Sequence, residues 1–176
     1  MFSVRRAMPE DATALIDLVN DVATRDDTLG IDRFPLAPQD EATFLGQADP
    51  RVYLTLVAQD GTTGRLLGVL TASRGTDTKL QHVSALAIAV AAGARRHGVG
   101  SALLEGFIDW AREVDVTKCT LSVLAHNEAA IRLFSKAGFS TEATRKGQYR
   151  VGGRLVDEVL MANWLDGRGG HHGQES

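Results

Sequence analysis

The chain has 176 residues, of which 44% are apolar and 23% charged, with a formal charge of −3. That size and apolar share fit one folded domain and exclude a disordered chain, while the acidic balance argues against a nucleic-acid binder, which needs a basic surplus. Its one cysteine, Cys119, excludes an intramolecular disulfide.

In chain order, the alternation of "FSVRRA" predicts a short strand. Pro9, Glu10 and Asp11 then start a helix with apolar positions Ala14, Ile16, Leu18, Val19 and Val22. Between Arg25 and Pro38 the pattern dissolves into a long loop, the kind that is often functional, and a second helix is expected over 39–46. "RVYLTLVAQ" and "RLLGVLTAS", separated by "DGTTG", read as a hairpin. The run from His82 to Val90 is apolar on both faces: Leu86, Ile88 and Val90 fall on one side, Ala85, Ala87 and Ala89 on the other. That predicts a central strand whose small face can take a closely packed helix.

A helix over 98–114, a strand over 117–124 and a helix over 127–137 follow, the last with Asn127 as N-cap and Gly138 just beyond its end. Cys119 sits inside the strand and reads as a buried small hydrophobe. Two more strands joined at "VGG" complete an α+β arrangement around a mixed sheet. One domain is expected over residues 1–165, and a disordered tail over 166–176. In that tail His171 and His172 lack the further ligands that a metal site needs, so no metal is expected. No stretch of about 18 apolar residues predicts a membrane span, and "MFSVRRAMPED" offers no signal-peptide core, so the cytoplasm is the expected compartment.

The junction "VAAGARRHGVGSALLEGF" carries the chemistry. A dinucleotide fingerprint would need a third glycine where Leu103 stands, and a Walker loop would need Lys and Ser or Thr after Gly98, where Val99 stands. What remains is a strand end, two arginines and two glycines opening a helix. Bare backbone at Gly98 and Gly100, with helix amides that have no internal partner, suits a phosphate group.

Here the chain resembles the GNAT superfamily of N-acetyltransferases. Arg95-x-x-Gly98-x-Gly100 matches that family's signature, at a spacing from the strand-end Val90 that also matches. "SVLAHNEAAIRLFSKAGF" is similar to its fifth strand and following helix, and "MFSVRRAMPEDATAL" to its usual opening, so the likeness spans roughly Phe2 to Leu165. The resemblance implies a mixed, splayed sheet of about seven strands flanked by four helices, with acetyl-coenzyme A as donor and no metal. It also implies a primary amine as acceptor, in a small molecule or at a protein N-terminus, with a homodimer as an option.

By the same resemblance, backbone groups of Ile88 and Val90 run beside the pantetheine arm and polarise the thioester. The amides of Arg96, His97, Gly98, Val99, Gly100 and Ser101, with Arg95 beside them, hold the pyrophosphate. Asn127 takes the place of a coenzyme-contacting asparagine, and Phe134 stands where the family usually has its acid, a tyrosine. Phenylalanine has no proton to give. The departing thiolate, with an ordinary pKa near ~8.5, can then leave unassisted or take a proton from another hydroxyl such as Ser135 or Tyr149. Alternatively the chain is an acyl-coenzyme A sensor with little turnover.

A working enzyme without a dedicated acid is the preferred reading, with Tyr149 as the candidate substitute. Ser135 lies about 100° around the helix from Phe134. His82 is the candidate base, on its intrinsic pKa. The acidic residues Asp26, Asp27, Asp32 and Glu41 are candidates for binding a cationic acceptor. The last two strands resemble the branch acting on ribosomal-protein N-termini, polyamines or small amino compounds. One of Asp157 and Glu158 must face the apolar side, and pairing with Arg145 or Arg150 is its expected role.

Overall fold

The computed structural model describes residues 1–167. The expected tail, with His171 and His172, lies outside the described residues apart from its first two. Seven strands form one sheet, ordered β1-β2-β3-β4-β5-β7-β6. In sequence, β1 (Phe2–Arg6) leads through a short 3₁₀ turn into α1 (Ala12–Asp26), then α2 (Pro38–Gln47), β2 (Tyr53–Asp60), β3 (Leu66–Arg74) and β4 (Val83–Val90). There follow α3 (Val99–Glu113), β5 (Lys118–Leu124), α4 (Glu128–Lys136), β6 (Ser140–Val151) and β7 (Arg154–Trp164). This is the expected α+β order of elements.

Three of the four described helices bury apolar side chains against the sheet. Leu15, Ile16, Leu18, Val19 and Val22 of α1 pack on Val57, Val69 and Ala89 on one face of the sheet. On the other face Leu103, Leu104, Phe107 and Trp110 of α3 meet Leu56, Leu70, Leu86 and Leu121, with Phe134 of α4 in the same cluster. β4 divides its side chains as its alternation predicts. Leu86, Ile88 and Val90 join the α3 cluster, and Ala89 takes α1. Ala85 and Ala87 remain uncovered by any helix and border an open cavity.

At the start of α1, Arg5 of β1 donates two hydrogen bonds to Asp11, at 2.6 and 2.8 Å, and the Met8 amide donates a third at 2.8 Å. These bonds hold the Asp11 carboxyl below the usual carboxylate range and fix the turn by which the chain leaves the sheet. Cys119 is fully buried, and burial pushes its thiol up to about 12, so it packs as a small hydrophobe and is no nucleophile at neutral pH. No helix among the described residues is long and apolar enough to cross a membrane.

The strand pairing decides where a ligand can enter. Every neighbouring pair in the sheet is antiparallel except β4 and β5, which run parallel and pair only over Val83–Ala85 against Lys118–Thr120. Beyond Ala85 the two strands part, although β5 stays paired with β7 as far as Leu124 against Glu158. The amide of Gly75 bonds the Val83 carbonyl and that of Ala91 the Leu67 carbonyl, so the odd-numbered residues of β4 face β3. The even-numbered residues therefore turn their N–H and C=O groups toward β5, and beyond Leu86 β5 is no longer there.

Candidate active site

The parting strands open a cavity of about 640 Å³. One wall is β4 from Ala85 to Ala89, another is β5 from Leu121 to Leu124, and the roof is the loop between α1 and α2. The Phe34 amide donates to the Asn20 side chain at 2.7 Å, which ties the loop to α1. From the α4 side, His126 contacts the Asp27 carbonyl at 2.8 Å and Asn127 donates to the Thr28 carbonyl at 3.4 Å. The long loop expected from the sequence is thus a wall of the site.

Ile88 lies within the parted stretch, and its backbone N–H and C=O face the gap without a ladder partner. Two residues on, the Val90 carbonyl accepts from Arg95 Nε at 3.1 Å, which pins the turn leading to α3. Arg96 and Gly98 both have positive φ, at 63° and 82°. The first bond of α3 runs from the Ala102 amide to the Gly98 carbonyl, and no side chain caps the helix. The amides of Val99, Gly100 and Ser101 are left as donors at the positive end of the helix dipole. Val99 itself is buried, so only its backbone faces this turn. His97 is exposed, with Nδ1 2.7 Å from the Arg95 carbonyl.

The two glycines do different work. At Gly98 a Cβ would meet nothing within 4 Å, so the residue is there for its left-handed backbone and leaves the approach open. At Gly100 a Cβ would sit 2.8 Å from Leu133 of α4, so this glycine lets α3 and α4 pack closely. Asn127 is the N-cap of α4 as predicted, its Oδ1 accepting from the Ala130 amide at 3.1 Å.

Phe134 borders the cavity from α4, 4% exposed, with its ring edge-on to Phe139 at 5.8 Å. Ser135, next to it, is exposed and not among the cavity residues. Tyr149 reaches the cavity from β6, and its hydroxyl donates to Glu158 Oε1 at 3.2 Å. Burial and then the Glu158 charge raise the Tyr149 phenol above its ordinary pKa, with Ser122 and Arg145 acting the other way. The phenol therefore keeps its proton at neutral pH.

Glu158 is buried and pairs with Arg145 at 2.9 Å, while Asp157 pairs with Lys146 at 2.8 Å. Arg145 is the expected partner; Arg150 instead bonds the Gly153 carbonyl. Replacing Arg145 by Met would leave the buried carboxylate with only the tyrosine hydroxyl. Because Arg145 is half exposed, the expected loss is about 1–3 kcal/mol, below that of a fully buried pair, read as a lower urea midpoint.

Other candidates fall elsewhere. His82 is exposed at the foot of β4 and does not border the cavity; its carbonyl accepts the Thr117 and Lys118 amides that begin the parallel pairing. Asp27 and Asp32 are exposed outside the cavity, and the Asp26 side chain lies outside the described residues. Glu41 is different, being 3% exposed on the cavity wall. The sequence signal for it was its position in α2, where an acid stands one helical turn from Phe44. Among the described residues no three His, Cys, Asp or Glu side chains gather as they would for a metal ion.

A splayed parallel pair, with an uncapped glycine turn at the end of its first strand, defines an acyltransferase-type fold. The chain belongs to the acetyltransferase (GNAT) family, whose model matches residues 17–139. It is 30% identical over 125 residues to the ribosomal protein bS18-alanine N-acetyltransferase of Escherichia coli K12, covering 71% of this chain and 80% of that one. Among solved structures, an acetyltransferase of the GNAT family from Streptococcus pneumoniae superposes with a TM-score of 0.86 at 27% identity, over 94% of this chain and 99% of that one. A phosphinothricin acetyltransferase from Sinorhizobium meliloti, in complex with acetyl-coenzyme A, shares the fold with a TM-score of 0.83 at 18% identity, over 98% and 94% of the two chains.

Proposed function

We propose that this protein transfers an acetyl group from acetyl-coenzyme A to a primary amine, by direct attack in a ternary complex. The observation that carries the reading is the continuity of the site. A strand with unpartnered backbone groups at Ile88 leads, through the Arg95 clamp on Val90, straight into a helix start with three free amides. An extended thiol arm fits beside the first, and its pyrophosphate fits at the second. In this reading the Ile88 amide polarises the thioester carbonyl, an oxyanion-hole role.

In the reaction the neutral amine attacks, a C–N bond forms and the C–S bond breaks; the nitrogen gives up a proton and the departing sulfur takes one. Tyr149 is our candidate donor of that proton. It stands on the cavity wall, is held protonated, and is oriented by Glu158. This would supply the proton that Phe134 cannot.

The test is release of free thiol from acetyl-coenzyme A on mixing with a panel of amines. Silence across the panel, with the coenzyme still bound, would favour a sensor with little turnover, the reading that Phe134 supports. Phe134→Tyr separates the two. With Tyr149 as acid, the variant should change kcat by less than about threefold. A gain of about a hundredfold, the usual worth of an acid, would mean that the native chain lacks one.

A further inference from the structure

On the far wall of the cavity, Glu41 presents an unusual arrangement. Its side chain is 3% exposed, yet it makes no hydrogen bond or ion pair with any described residue. No fully buried side-chain oxygen among the described residues lacks a partner, so its carboxylate must keep a sliver of open surface. Phe44, one turn further along α2, lines the same cavity, as do Tyr53, which meets the Phe44 ring, and Thr55. Among the described residues, Glu41 is also the only one in the lining that carries a formal charge at neutral pH. Arg6 borders a smaller neighbouring pocket with Phe44 and Tyr53, and does not reach this one.

A desolvated carboxylate with no counter-charge is costly in the free protein, and its carboxyl is accordingly held above its usual range. What would offset that cost is a cation brought by a ligand. The same wall is wrong for an anion. A free α-amino acid would place its own carboxylate within a few ångströms of its ammonium, with no lysine, arginine or histidine among the described lining residues to receive it.

We propose that Glu41 is the counterion of the acceptor's ammonium, and that the acceptor is a primary amine on an apolar body with no carboxylate beside the amine. The inference rests on the acetyltransferase reading above and narrows its acceptor. A simple amine and the first residue of a peptide share this chemistry, and matched compounds distinguish them.

The experiment follows thiol release with 2-phenylethylamine, phenylalaninamide and phenylalanine, which share one ring and differ beside the amine. At least one of the first two should exceed phenylalanine about tenfold or more in kcat/KM, and a preference for the amide would point to peptide ends. Phenylalanine within that margin of both overturns the acceptor class, as does silence with both amines while acetyl-coenzyme A binds. Failure to bind acetyl-coenzyme A would instead overturn the function itself.

Glu41→Gln should lower kcat/KM for the better amine by about tenfold or more, since a desolvated charge pair loses one partner. A smaller loss overturns the role of Glu41. Acetyl-coenzyme A affinity should stay within about twofold of wild type, and the thermal midpoint at neutral pH should not fall, because the variant sheds an uncompensated charge. A lowered midpoint would mark Glu41 as a structural residue and count against the proposal. Since the folded carboxyl is raised, wild type and variant should be alike in acid. The variant's advantage should then open as pH rises through the carboxylate range. Among the described residues that line the cavity, the other titratable groups are the phenols of Tyr53 and Tyr149.

Discussion

Gly98→Val is expected to abolish useful binding of acetyl-coenzyme A while the fold survives. The position has φ 82°, a region that a β-branched residue enters only at a cost of about 1–2 kcal/mol. The chain can relieve that strain by rotating the peptide at the head of α3, and this swings the amides of Val99, Gly100 and Ser101 out of alignment. Affinity should fall by about a hundredfold, measured by calorimetry, since several charge-assisted hydrogen bonds weaken together. Gly100→Val makes an informative contrast. Its Cβ would meet the end of Leu133, a side chain that can move, so its main cost should appear as a changed packing of α3 on α4. Equal coenzyme affinity in Gly98→Val and wild type would remove the pyrophosphate cradle from the proposal.

Tyr149→Phe is expected to lower kcat by about a hundredfold while changing acetyl-coenzyme A affinity little, because it deletes one proton and almost no volume. The pH profile should change with it. Wild-type kcat should fall in alkali as the phenol ionises, above its ordinary pKa because burial and Glu158 oppose the charge, and that limb should vanish in the variant. A variant with unaltered kcat would return the mechanism to unassisted loss of the thiolate. One with a lowered urea midpoint and normal kcat would assign Tyr149 to the Glu158–Arg145 network alone.

Much of the architecture was legible because local pattern and final environment agree. The two-sided apolar run ending at Val90 could only be an interior strand, and Gly98 with Gly100 could be separated from nucleotide loops by spacing alone. Asn127 carried its cap in plain view, since an asparagine opening an amphipathic segment is stabilised there by its own backbone geometry. The need of a buried acid for a partner narrowed the choice to Asp157 or Glu158 with Arg145 or Arg150, and the pair that forms is Glu158 with Arg145.

What stayed hidden depends on groups far apart in the chain. Glu41 is one of four acids that the sequence offers for a cationic acceptor, and only the fold shows that it lines the cavity together with Thr55 and Tyr53. Tyr149 and Gly30 are distant in sequence, yet a Cβ on Gly30 would lie 2.8 Å from the Tyr149 hydroxyl. His82 looked attractive for its intrinsic pKa, but its use in the structure is its carbonyl, at the point where β4 meets β5. A residue type suggests chemistry, whereas the register of a sheet decides whether the side chain ever sees the substrate.

That meeting point also has a mechanical consequence. β1 to β4 form one panel and β5 to β7 another, each laced along its length, and the seam between them holds only three residue pairs. Ser84 sits at the seam: its carbonyl accepts from the Thr120 hydroxyl across it at 3.2 Å, while its buried hydroxyl donates to the Ser73 carbonyl at 3.0 Å and anchors it within its own panel. The molecule is built like a book with a short spine. A small rotation there becomes a larger change of gape at the open edge, where Ile88 and Val123 line the cavity, so the width offered to a thioester is governed by residues that never touch it.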